Sequence, residues 1–79
     1  MKLQQVFGKT LRELRTSVGL SQEALALECG LDRTYISLLE RGLRRPSLQT
    51  VFILSRSVKI SPSAFVSLVE KELSERSEA

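Results

Sequence analysis

Two helix starts set eleven residues apart, with a single glycine between the helices they open, constrain this chain more than any other feature. Ser21 and Asp32 both have a side-chain oxygen that can accept a bond from a first-turn N–H, so both favour the position just before a helix. Each is preceded by an apolar residue that is matched by another five positions on, Leu20 with Leu25 and Leu31 with Ile36, the spacing of a hydrophobic staple. The pattern predicts one helix over Gln22–Cys29 and a second over 33–41, the latter ended by Gly42. Gly30 falls where the chain must turn with positive φ after the first helix, a conformation glycine adopts without steric penalty. Ala26 is small enough for the second helix to cross close above the first, and Leu25, Leu31, Ile36 and Leu39 form an apolar wedge between them.

The rest of the chain reads as three further helices and no strand. Leu3, Val6, Phe7, Thr10, Leu11, Leu14 and Val18 fall on one stripe of a first helix over 3–18, with Lys2, Lys9, Arg12 and Glu13 away from it and Gly19 closing it. A fourth helix follows Pro46 and Ser47 and uses Leu48, Val51, Phe52, Ser55 and Val58, while Ile53 and Leu54 add a second apolar side. The fifth opens with Ser61 as cap, Pro62 in the first helical position and Ile60 stapled onto Phe65. Its stripe is Phe65, Val66, Leu68, Val69 and Leu73, and residues 74–79 are expected to fray. The expected architecture is a single all-α domain of five helices over residues 1–79, near the lower size limit for a self-sufficient core.

The absence of histidine and the presence of one cysteine, Cys29, remove disulfide frameworks, zinc fingers, Ser-His-Asp triads and Cys-His pairs together. Glu70, Glu72, Glu75 and Glu78 belong to a solvated helix end, so the chain is read as non-enzymatic, with no cofactor and no metal. No apolar run approaches the roughly 18 residues of a membrane span, and MKLQQVFGK lacks the apolar centre of a signal peptide. A cytoplasmic protein acting at the nucleoid is expected. Charge is divided: up to Lys59 there are ten basic residues against five acidic, and from Ile60 onward two against four. The basic part holds the paired helices, which favours a polyanion there and another partner at the acidic end.

Two short helices about a tight turn, followed by a basic loop, are the layout of a helix-turn-helix DNA reader. With about 100° per residue, the second helix of the pair puts Ile36 and Leu39 on one side, and Arg33, Thr34, Ser37, Leu38 and Arg41 within an opposite arc of about 140°. A helix in a major groove reads base edges with residues near its N-terminus, here Arg33, Thr34 and Ser37. Arg33 can donate two parallel bonds to guanine O6 and N7, and Thr34 can offer a methyl to thymine or a hydroxyl to phosphate. Leu38 can touch a thymine methyl or stand idle in solvent, and Tyr35, at the edge of the arc, can reach a phosphate or pack its ring inward. Arg41, Arg44 and Arg45 are placed to reach phosphates.

Leu20, Ser21, Gln22, Leu25, Ala26, Gly30, Ile36, Ser37, Glu40, Gly42 and Pro46 stand at the spacing of the lambda repressor and Cro family, also called XRE, which this chain resembles. The run LDRTYIS, then ERG and RRPS, is similar to the controller proteins of restriction-modification systems. The resemblance implies a lambda-repressor-like fold, a phosphate contact and bracing role for Gln22, and a structural ion pair between Arg15 and Glu40. It also implies a homodimer on an inverted repeat of double-stranded DNA. A domain this short leaves no room for a separate ligand-sensing module, so no small-molecule ligand is expected. The apolar excess on the last two helices fits either a fifth helix packed across its own core or a two-fold interface formed by Phe52, Ile53, Phe65, Leu68 and Val69. Activation would add a contact to RNA polymerase, for which Glu23 and Glu28 are candidates. The competing reading is an antitoxin-type interaction module with secondary DNA binding.

Overall fold

A computed structural model describes residues 1–77. Five helices follow one another, α1 Leu3–Ser17, α2 Gln22–Cys29, α3 Arg33–Glu40, α4 Leu48–Ser57 and α5 Pro62–Ser77, with no strand among the described residues. Local chemistry sets the starts. The Ser21 hydroxyl accepts from the Ala24 N–H at 3.0 Å and the Asp32 carboxylate from the Thr34 N–H at 2.7 Å. Ser47 does the same for Thr50 at 3.0 Å and Ser61 for Ala64 at 3.1 Å. Each cap is worth about 1 kcal/mol.

The turn after α2 is closed by Gly30 at φ 66°, and the Leu31 N–H then donates to the Ala26 carbonyl at 2.9 Å. The α4–α5 connection repeats this closure, with the Ile60 N–H donating to the Ser55 carbonyl at 3.1 Å, but its left-handed residue is Lys59 at φ 63°. A side chain in that conformation costs about 1–2 kcal/mol relative to its ordinary backbone.

The core draws on every helix: Val6, Phe7 and Leu11 from α1, Leu25 and Ala26 from α2, Ile36 and Leu39 from α3, Val51 and Leu54 from α4, and Phe65 and Val69 from α5. Leu20, Leu31 and Ile60, the outer halves of the three expected staples, lie partly buried against it. The centrepiece is a stack of Phe7 on Phe65, ring centroids 4.9 Å apart and 8° from parallel.

That stack corrects the partner-facing role suggested for Phe65 and Val69. They are 0% and 6% exposed within one protomer, because α5 folds back across α1 and uses its apolar stripe there. Of the five residues named for an interface, Phe52 and Leu68 are exposed and Ile53 is half-buried. Leu3, placed on the α1 stripe by periodicity, is instead exposed. Helices α1 and α3 each end one residue earlier than the pattern suggests, with Val18 and Arg41 as caps. α5 is helical through Ser77, where the sequence suggests fraying; residues 78 and 79, Glu78 among them, lie outside the described residues.

Candidate nucleic-acid interface

α3 has two unlike ends. Its inner face is sealed by Ile36 and Leu39, both 0% exposed, so the helix cannot rotate about its axis without opening the core. At its N-terminus Arg33 and Thr34 are exposed, while Ser37 and Leu38, further along the same arc, are half-buried. Asp32 stands beside them with one carboxylate oxygen accepting the Thr34 N–H, and Arg33 has no ion-pair partner among the described residues. Arg41, Arg44 and Arg45 are likewise exposed and without an ion pair there. Unpaired guanidinium groups on one helix and its following loop have their donors available to phosphates or base edges.

The other end of α3 is held by a polar cluster. Arg15 on α1 donates to both carboxylate oxygens of Glu40, from Nε at 2.5 Å and from Nη2 at 3.0 Å, and from Nη1 to the Leu20 carbonyl at 2.8 Å. Gln22 Nε2 adds a bond to Glu40 Oε1 at 3.0 Å. The two charged side chains are only 10% and 2% exposed, and the paired carboxylate raises the Arg15 pKa above its ordinary value. One carboxylate thereby joins α1, the first residue of α2 and the last residue of α3. The Arg15–Glu40 pair suggested by the resemblance is present in this form.

Gln22 sits at the N-terminus of α2, with one amide proton used by Glu40 and a half-buried side chain. The Tyr35 ring is partly buried against the core, which is the inward of its two readings. Sequence reasoning passed over Leu43, 61% exposed between Arg41 and Arg44, with its N–H donating to the Leu38 carbonyl at 2.9 Å. No periodic signal marks a leucine in a loop. Among the described residues there is no group of three metal-ligating side chains, and no single helix is long and apolar enough to cross a membrane.

The sequence profile of the helix-turn-helix family matches residues 11–65. Control protein C.BamHI of Bacillus amyloliquefaciens is 45% identical over 58 residues, 72% of this chain and 72% of that protein. The crystal structure of the restriction-modification controller protein C.AhdI from Aeromonas hydrophila superposes with a TM-score of 0.75 at 47% identity, covering 78% of this chain and 94% of that one. The restriction-modification controller protein C.Esp1396I, solved as a tetramer in complex with its natural 35 base-pair operator, superposes with a TM-score of 0.82 at 29% identity. That match covers 91% of this chain and 95% of the other.

Proposed function

Because the chain belongs to the helix-turn-helix family, XRE type, we propose that it is a sequence-specific DNA-binding transcription regulator of the restriction-modification controller kind, acting as a dimer on an inverted repeat. The observation that carries this reading is the asymmetry of α3: a helix locked by Ile36 and Leu39 that presents an exposed Thr34 and an exposed Arg33 beside loop arginines, with none of these guanidinium groups in an ion pair among the described residues.

In this reading Arg33 takes guanine O6 and N7, a contact worth about 1–3 kcal/mol of discrimination. Thr34 and Ser37 complete the base-facing arc, with Leu38 at its margin. Gln22, Arg41, Arg44 and Arg45 hold phosphates and set register without reading sequence, while the partly buried Tyr35 ring helps to anchor α3 to the core. Two copies place their α3 helices in successive major grooves about 34 Å apart. The partner-facing surface consists of Phe52 and Ile53 with the exposed Leu48 and Val66 nearby, because Leu48, Phe52 and Val66 line one cleft between α4 and α5. Leu68 lies on the other flank of α5, where it lines a separate cleft with Thr10 and Leu14 of α1. Glu23 and Glu28 on α2 are exposed and offer acidic contacts to RNA polymerase.

Selection from random duplex DNA at physiological salt tests the proposal. It predicts an enriched inverted repeat with half-sites one turn apart, and a slope of log K against log salt of about −0.9 for each phosphate neutralised. Binding without enrichment that vanishes as salt rises would reduce the basic face to an electrostatic platform and move the partner-protein reading to the front.

A further inference from the structure

Gly8 lies in the interior of α1, where glycine weakens a helix relative to alanine and where no positive φ calls for it. Its reason is contact. A Cβ at this position would stand 2.6 Å from the Glu40 carbonyl oxygen and 2.8 Å from the Glu40 carbonyl carbon, and would also collide with the Leu39 carbonyl oxygen. All three atoms are backbone of the last turn of α3, which cannot swing aside as a side-chain tip could. From the other side of the seam, a Cβ on Gly42 would stand 2.9 Å from Gln5 Cα. The α1 backbone and the C-terminal turn of α3 therefore meet directly, and Arg15, seven residues beyond Gly8 on the same face of α1, clamps the Glu40 side chain.

We propose that Gly8 is a positioning residue for DNA reading: its missing side chain sets the depth and tilt at which α3 presents Arg33 and Thr34. This rests on the DNA-reading function proposed above. Restoring ordinary contact after adding a methyl requires a displacement of about 1 Å, since non-bonded atoms rest about 3.5 Å apart. α1 is the stiffer partner. It is fixed on its far side by the Phe7–Phe65 stack, whereas the C-terminal end of α3, tied to α1 and α2 through the Glu40 side chain, leads into a loop whose Leu43, Arg44 and Arg45 are exposed. α3 is about 12 Å long, so a shift of about 1 Å at its C-terminal end, about a pivot near its middle at the buried Ile36, tilts it by about 10° and moves its N-terminal residues by a comparable distance. Bidentate base contacts hold within a window of about 0.5 Å. Phosphate contacts from long loop arginines follow such a movement. Gly8→Ala should therefore lose discrimination while keeping general affinity.

The test compares the wild type, Gly8→Ala and Val58→Ala, a truncation of the buried residue that caps the end of α4 away from the seam, on the selected operator and on a scrambled duplex. Folding is checked by circular dichroism, in trimethylamine oxide if a variant needs it. The expected result is a loss of at least about tenfold in the operator-to-scrambled ratio for folded Gly8→Ala, with scrambled-duplex affinity and salt slope unchanged and the Val58→Ala ratio kept. A wild-type ratio in Gly8→Ala overturns the proposal, as does an equal loss in Val58→Ala. A Gly8→Ala chain that stays unfolded in the osmolyte overturns it too, because the contact would then be a condition of folding and not a setting of the helix. Failure of the wild type to prefer any operator would instead strike the DNA-reading function itself.

Discussion

Helix α1 makes two seams, and they are built on opposite principles. Against α3 it presents glycine and a forked ion pair, so that backbone meets backbone and charges 10% and 2% exposed are locked together. Against α5 it presents Phe7 to Phe65, beside an ion pair between Lys9 and Glu72 that is 38% and 28% exposed. The first seam is specific in geometry and intolerant of substitution. The second is hydrophobic, generic in chemistry and tolerant of shape-conserving change. The intolerant seam is the one that holds the helix carrying Arg33, which suits a protein whose output depends on where one helix sits.

The largest expected effect falls on the α3 seam. Arg15→Ala leaves the Glu40 carboxylate enclosed with only the Gln22 amide, and should cost about 3–5 kcal/mol in urea unfolding. A cost below about 1 kcal/mol would erase the distinction between the seams. Next comes Arg15→Lys, which keeps the charge but loses the fork. It should still cost about 1.5–3 kcal/mol, the scale of a lost hydrogen bond to a charged group. On the α5 side, Phe65→Leu keeps an apolar side chain but gives up the stack on Phe7 and some volume, and should cost about 1–2 kcal/mol, with binding to the selected operator unchanged. The contrast sharpens if the arginine variant loses more stability than the phenylalanine one, and breaks if the order reverses.

The smallest effect belongs to Lys9 and Glu72. The hydrogen bond to Lys9 holds the Glu72 carboxyl below the usual carboxylate range, and the same bond lifts the Lys9 ammonium above its ordinary value. A depressed carboxyl stabilises the fold above its unfolded pKa and loses that contribution as pH falls through the folded value. A raised ammonium stabilises below lysine's ordinary pKa and loses its part as pH rises through the folded value. The pair therefore acts across the neutral range. The small difference in melting temperature between wild type and Lys9→Ala should vanish in acid below the Glu72 pKa, and also at about 1 M salt, where screening acts over about 3 Å. A difference that persists in both would mean that Lys9 contributes through packing.

How much of this was legible before the structure depended on how local the signal was. Ser21, Gly30, Asp32 and Ser61 announce themselves because a cap or a left-handed closure is decided within a few residues. Phe65 and Val69 were harder to place, since an apolar stripe looks the same whether it faces its own core or a second copy. Only the path of α5 across α1 decides. Gly8 gave no turn signal because its reason lies in Leu39 and Glu40, more than thirty residues away. Lys59 gave none because lysine is not the residue expected in a left-handed turn. The Arg15–Glu40 pair was readable only through the family resemblance, and the Gln22 bond to the same carboxylate needed coordinates.

The central claim is that Arg33 reads a base from a helix held at its other end. A double-mutant cycle between protein and operator tests it most directly: wild type and Arg33→Ala are titrated against the selected operator and against variants replaced one base pair at a time. The account predicts one base pair in each half-site whose replacement weakens the wild type by about 1–3 kcal/mol and leaves Arg33→Ala nearly unaffected, while penalties elsewhere add. Additive penalties at every position would contradict it, making Arg33 one more phosphate contact and leaving α3 without its assigned reader.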